Sequence, residues 1–252
     1  MDQPLSGKKA VVTGASSGIG RAVALALARL GAAVVIQARR KERLDALAGE
    51  IAAAGGKALA VAGDAGAQPD IEALMERAVA WDEGGGTLDI AVANAGRGLA
   101  GGILGSDPAQ WRELYQTNVL GAAYLLRLAG QLMVKQGRGD IVALGSVAGR
   151  MVSPFSGFYG SSKFAIGAIA EGLRREVCQQ GVRVTVVMPG IVLSEFQNVA
   201  GYDDENFGKS IAQFGKLLEP HDIADAIAWL LTLPAHVNVN ELMIRPTGQP
   251  YP

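Results

Sequence analysis

The sequence holds one cysteine, Cys178, and two histidines, His221 and His236. A single thiol excludes an internal disulfide and fits a reducing compartment. Two histidines, one at a helix start and one in a loop, supply no ligand cluster, so no metal site is expected. Charge of one sign is missing too, with 23 Lys and Arg against 24 Asp and Glu. That balance offers no broad basic surface to nucleic acid or to an anionic membrane. No apolar run approaches the roughly 18 residues of a membrane span. The start, Met1-Asp2-Gln3-Pro4-Leu5-Ser6-Gly7-Lys8-Lys9, lacks an apolar stretch with a secretory cleavage site. The expectation is a soluble, cytoplasmic protein. Internal repeats, low-complexity linkers and composition breaks are also lacking, so residues 1–252 read as one domain.

Apolar residues are abundant, at 49% of the chain, and suffice for a large core. Short apolar runs (10–12, 33–37, 58–62, 88–92, 141–144, 182–187 and 241–245) alternate with stretches of helical composition. This alternation predicts an α/β fold, a parallel sheet covered by helices on both faces.

The first run ends in Thr13-Gly14-Ala15-Ser16-Ser17-Gly18-Ile19-Gly20, followed by the Ala- and Leu-rich stretch 21–30. Strand, glycine turn and helix together place backbone N–H groups where a phosphate can bind. Gly14 permits the turn, Gly18 a close approach to pyrophosphate, and Gly20 tight helix–strand contact. Ser16, Ser17 and Ile19 share that loop. The second run ends in Ala38-Arg39-Arg40-Lys41, with no acid to hold a ribose 2′-hydroxyl. Arginine there suits a 2′-phosphate, so Arg39, with Arg40, reads as the clamp for NADP(H). Arg40 and Lys41 equally suit a solvated helix start. Asp64 reads either as an adenine contact or as a turn cap. Asn94-Ala95-Gly96 reads as close backbone approach to a cofactor ring or as a tight turn with Asn94 bonded to neighbouring strands.

Tyr159 and Lys163 are four residues apart and share one helical face. A free phenol titrates near ~10; a fixed ammonium beside it lowers that value and makes tyrosine a usable acid or base. Ser146 follows the apolar run 141–144, at the sheet edge where open α/β folds bind ligands. Asn118 sits in a long helix that Asp107 and Pro108 open, among apolar neighbours that imply a buried amide with partners. The stretch 194–218, with Phe196, Tyr202, Phe207, Phe214 and the acidic run Asp203-Asp204-Glu205, reads as a substrate lid. Met151, Val152, Phe155, Phe158 and Phe196 are the expected pocket lining, with Ser146 and Tyr159. That apolar set favours aromatic or alkyl ketones; Arg97 and Arg150 would instead meet an acidic substrate. The small face of the Tyr159 helix (Ala165, Gly167, Ala168, Ala170, Gly172) suits close packing of a second subunit.

Taken together, Thr13-Gly14-x-x-x-Gly18-x-Gly20, Asn94-Ala95-Gly96, Asn118, Ser146, Tyr159-x-x-x-Lys163 and Pro189-Gly190-x-Val192-x-Ser194 resemble the short-chain dehydrogenase/reductase family over nearly the whole chain. The resemblance implies a single-domain, doubly wound Rossmann-type sheet of about seven strands, in dimers or tetramers. It implies hydride transfer at nicotinamide with the tetrad Asn118, Ser146, Tyr159 and Lys163, and cofactor contacts from Pro189, Gly190, Val192 and Ser194. Ala93 and Gly145 depart from the family pattern without removing a catalytic group. The tail 238–247 is similar to a subgroup that reduces ketones and aldehydes or oxidises 3-hydroxy acids such as serine. The expected activity is NADPH-dependent carbonyl reduction, reversible as alcohol oxidation. The alternatives are a 3-hydroxy acid dehydrogenase and a non-catalytic NADP-binding regulator.

Overall fold

The computed structural model describes residues 3–83, 87–152, 154–202, 208 and 212–250. Its central strand, β1 (Lys9–Thr13), is buried along its whole length. β2 (Ala33–Ala38) and β4 (Ile90–Ala93) pair with β1 on its two sides. β3 (Lys57–Ala62) extends the sheet beyond β2. β5 (Gly139–Leu144), β6 (Val182–Pro189) and β7 (Glu241–Ile244) extend it beyond β4. All seven strands run parallel in the order β3-β2-β1-β4-β5-β6-β7. Strands buried on both faces are mostly apolar, which is why they appear in the sequence as short apolar runs, with buried Lys9, Thr13 and Gln37 as polar exceptions in β1 and β2.

Successive side chains leave a strand on opposite faces. Val12, Ile36 and Val92 pack on one face with α1 (Gly18–Arg29), α2 (Lys41–Ala53) and α8 (Pro220–Thr232). Val11, Val35 and Ala91 pack on the other with α3 (Gln68–Ala80), α5 (Ala122–Gln136) and α6 (Gly157–Val177). Two short helices, α4 (Trp111–Tyr115) and α7 (Phe196–Ala200), lie at the sheet's carboxyl edge. Strand order reverses at the β1–β4 junction, and such a reversal leaves a crevice beyond the strand ends.

The long helix expected around Asn118 is present and runs without a break from Pro108 to Gln136, but it is not a regular α-helix throughout. Asp107 does cap its start, accepting from the Ala109 amide at 2.9 Å, but the first turn is the 3-10 turn Pro108–Gln110. Between α4 and α5 the backbone widens into a π turn, Gln116–Gly121. A Cβ at Gly121 would stand 1.9 Å from the Ala65 carbonyl oxygen, so only glycine lets this helix run against that loop. A π turn adds a residue to the helix without ending it. Asn118, within that turn, is buried.

Lys9 is fully buried and places its ammonium on the Ala78 and Trp81 carbonyls at 2.7 and 2.6 Å, closing the C-terminal end of α3. The two ends of the expected lid are tied together: Leu193 N–H donates to Leu218 O at 2.8 Å, and Val192 bridges Leu218. Asp203-Asp204-Glu205 and Phe207 lie outside the described residues. Among the described residues, no helix is long and apolar enough to cross a membrane.

Candidate active site

β5 ends at Leu144, and Ser146 caps the short 3-10 turn Val147–Gly149 by accepting from the Ala148 amide at 3.1 Å. Helix α6 then crosses that turn at very close range. A Cβ at Gly149 would lie 2.8 Å from the Lys163 carbonyl oxygen, and one at Gly160 would lie 3.1 Å from Ala148 O. These two glycines let α6 press against the strand end, which brings Ser146, Tyr159 and Lys163 together. All three are buried. The Ser146 side chain stands close enough to the Tyr159 phenol to favour its ionised form. Lys163 holds its ammonium on Leu144 O at 2.8 Å, and Nζ stands 5.8 Å from the Tyr159 ring centroid.

The electrostatics differ from the sequence expectation. Tyr159 is pushed above the usual phenol range, first by burial and then by the nearby Tyr202, with the Ser146 side chain opposing. Lys163 is lowered to about 8 by burial. The expected depression of the phenol by Lys163 is therefore not what the chain alone produces. Desolvation of the neutral-to-anion step outweighs an ammonium that is turned toward a backbone carbonyl.

Asn118 reaches this cluster from the π turn. Its Oδ1 accepts from Arg97 N at 2.8 Å, and its Nδ2 donates to Arg97 O at 2.9 Å and to Ser162 Oγ at 3.1 Å. The amide thus ties the loop after β4 to α6. Gly96 lies between the two groups: a Cβ there would be 3.2 Å from Asn118 Oδ1 and 3.6 Å from Lys163 Nζ.

The glycine loop forms the other end of the site. Gly14 and Gly18 have φ of +68° and +54°, conformations costly for other residues. Gly20 needs its missing side chain for contact: a Cβ would sit 2.3 Å from Asn94 Nδ2 and 2.4 Å from Gly14 O. Asn94 Nδ2 donates to Thr13 O at 2.9 Å and Gly14 O at 3.3 Å, bracing the turn. Thr13 Oγ1 accepts from the Asn94 and Ala95 amides, each at 3.2 Å. The strand-pairing alternative for Asn94 therefore holds geometrically. The first turn of α1 carries no acidic residue, and Ser17 makes no side-chain cap. Asp64 is a turn cap, accepting from Gly66 N at 2.9 Å, and also faces the cleft. Lys41 pairs with Asp45 one turn along α2, the solvated helix start allowed by the sequence.

A cleft of about 920 Å³ joins these two ends. Its walls include Gly14, Ser16, Ser17, Gly18, Ile19, Arg39 and Arg40 at the β1–β2 end. Asn94, Ala95 and Gly96 form its floor, and Pro189, Gly190, Val192 and Ser194 its far wall. Ser146, Tyr159, Lys163, Phe155 and Phe196 complete it, while Gly20 and Asn118 stand behind the lining. Phe196 meets Tyr159 edge-on, with ring centroids 5.6 Å apart.

Three expected pocket residues lie elsewhere. Phe158 stacks on Trp111, with centroids 4.3 Å apart, and tilts against Tyr115; this aromatic cluster draws it away from the cleft. Met151 and Val152 are exposed and not part of the cleft wall, because the chain turns outward after Val147–Gly149. The arginines considered for an acidic substrate are already ion-paired, Arg97 with Glu113 and Arg150 with Glu241. Sequence reading also missed Gln249, a buried tail residue in the cleft wall whose Oε1 accepts from Ile191 N at 3.0 Å. No local pattern marks such a contact, since the tail reaches it only after the sheet has closed.

Comparison with known proteins agrees with this architecture. A fungal glycine betaine reductase from Emericella nidulans is 37% identical over 98% of this chain, which spans only 19% of that protein's length. An uncharacterized oxidoreductase from Staphylococcus epidermidis is 35% identical, covering 95% of this chain and 97% of its own. The closed form of a serine dehydrogenase complexed with NADP+ superposes with a TM-score of 0.86 at 31% identity, covering 96% of each chain. The short chain dehydrogenase family profile matches residues 8–204. The chain belongs to the short-chain dehydrogenase family and is an oxidoreductase of that family.

Proposed function

We propose that the chain is an NADPH-dependent reductase of small or medium ketones and aldehydes, reversible as alcohol oxidation. The observation that carries this reading is the convergence of the Ser146 and Tyr159 side chains on the wall of one large cleft, with Lys163 one turn beyond Tyr159. The cofactor fits the groups present. The uncapped, acid-free start of α1 offers backbone donors to a pyrophosphate, and Arg39, exposed at the cleft wall, suits a 2′-phosphate. NADP-bound serine dehydrogenase, similar in fold, supports the same choice. Bound NADPH would supply the hydride to the carbonyl carbon.

The chain's residues then handle the carbonyl oxygen. Ser146 donates a hydrogen bond to that oxygen and fixes its position. Tyr159 gives the oxygen a proton as negative charge grows on it, and draws a replacement through Lys163. The buried lysine, lowered to about 8, exchanges protons readily near neutral pH. Asn118 is a positioning residue: its amide fixes the Arg97 backbone against α6, with both Nδ2 donors engaged. Phe155, Phe196 and Tyr202 give the substrate end an apolar wall. Since Arg97 and Arg150 are both paired, a neutral carbonyl compound suits this wall better than a 3-hydroxy acid.

The subunit arrangement expected is a homodimer or homotetramer. The α6 face is open enough for it: nothing lies within 4 Å of a Cβ built on Gly167 or Gly172, and Phe164 and Ile169 are exposed.

The test is oxidation of NADPH, and separately NADH, against ketones, aldehydes and keto acids. Turnover with NADPH and apolar ketones is expected. Preference for keto acids would favour the hydroxy-acid alternative. NADPH binding without turnover on any carbonyl or alcohol would leave the regulator reading standing.

A further inference from the structure

Glu195 lies at the same end of the cleft as the glycine loop, although 155 residues separate it from Arg40. Arg40 Nη1 donates to its Oε2 at 3.1 Å. Arg43 Nη1 donates to Oε1 and Oε2 at 2.7 and 2.9 Å. The rest of the Arg40 fork is held by the loop: Nε and Nη2 donate to Ser16 Oγ at 3.3 and 2.9 Å, and Nη2 to Ser17 Oγ at 3.0 Å. Arginine has five N–H donors in a fixed fork, so one donor is left over. A phosphate taking Arg40 in a two-point grip must displace one of these partners. The serines belong to the loop itself. Glu195 is different: Arg43 already grips it, so it can release Arg40 without losing its counter-charge.

The two arginines hold the Glu195 carboxyl below its usual range, Arg43 more than Arg40, so it carries full negative charge at neutral pH. That charge has two effects on an incoming phosphate. It occupies a donor the phosphate needs, and it repels a second anion. Arg39, exposed in the same wall, acts in the opposite sense.

We propose that Glu195 is a specificity-determining residue that weakens recognition of the dinucleotide 2′-phosphate by competing for Arg40, and passes to Arg43 alone when the phosphate is bound. The proposal rests on the NADPH reading. It makes this chain's preference for NADPH smaller than Arg39 and Arg40 alone would set. A carboxylate serving only as a brace between α2 and the segment leading to α7 would affect NADPH and NADH alike.

The experiment is a binding titration of wild type and Glu195→Gln with NADPH, NADH and 2′,5′-ADP, which carries the phosphate but no nicotinamide. Exposed charge pairs contribute modestly, so the expected effect is about three- to fivefold tighter binding of NADPH and 2′,5′-ADP. NADH should change by less than about 1.5-fold, and the gain should shrink as salt rises. Equal shifts for NADPH and NADH, no shift, or weaker binding of 2′,5′-ADP overturns the proposal. The cofactor reading fails separately, on a wild-type chain that binds NADH as tightly as NADPH. The 2′,5′-ADP arm still reports on Glu195 in that case.

Discussion

Lys163 donates its ammonium to the Leu144 carbonyl at 2.8 Å, two residues before Ser146. The bond joins α6 to the end of β5 and holds the lysine beside the strand terminus that carries the serine. It also keeps a charge in a buried place, which has a stability consequence.

That consequence is a pH window. Lys163 is lowered from 10.5 to about 8 by burial. Between these values the unfolded chain holds a proton that the folded chain has shed, so stability rises with pH; below about 8 the full burial penalty stands. Tyr159, raised by burial, acts in reverse above its ordinary value of 10.0, so the rise is best read from about pH 8 to 10. Lys163→Met removes the buried charge. Chemical denaturation should show the wild type gaining about 1–3 kcal/mol on the variant across that window, with variant turnover lowered by about a hundredfold or more. A stability difference that stays flat with pH contradicts this account.

Arg39 is exposed at the cleft wall beside Arg40. If it meets the 2′-phosphate, Arg39→Asp exchanges attraction for repulsion. The kcat/KM for NADPH should fall by about tenfold or more, while that for NADH stays within about twofold. Parallel losses with both cofactors would place Arg39 outside phosphate recognition.

Gln37, on β2, is fully buried, and neither amide atom has a hydrogen-bond partner. An unpaired buried amide costs about 1–3 kcal/mol. Gln37→Met keeps the shape and removes the cost, so thermal unfolding should move upward by several degrees. A lowered midpoint would show that the amide is satisfied in solution.

Much of the fold is legible because its central strands are buried on both faces. Runs such as Val11-Val12 and Val34-Val35-Ile36 can be nothing but interior strands once helices flank them. The Tyr159–Lys163 spacing likewise carries its own geometry, since a helix forces both onto one face. Other features come only from distant contacts. The π turn depends on Gly121 meeting Ala65, and Glu195 meets Arg40 and Arg43 across the cleft mouth. Phe155 and Phe158 look alike in sequence, but α6 starts between them and turns Phe158 onto Trp111. The direction of the Tyr159 shift needed burial, which composition does not report.

The most direct test of the central claim is Tyr159→Phe, assayed for NADPH-linked carbonyl reduction alongside NADPH binding. The variant keeps the ring packed against Phe196 and loses only the hydroxyl next to Ser146. Turnover should fall by about a hundredfold or more with NADPH affinity within about twofold. Full turnover in Tyr159→Phe would contradict the account.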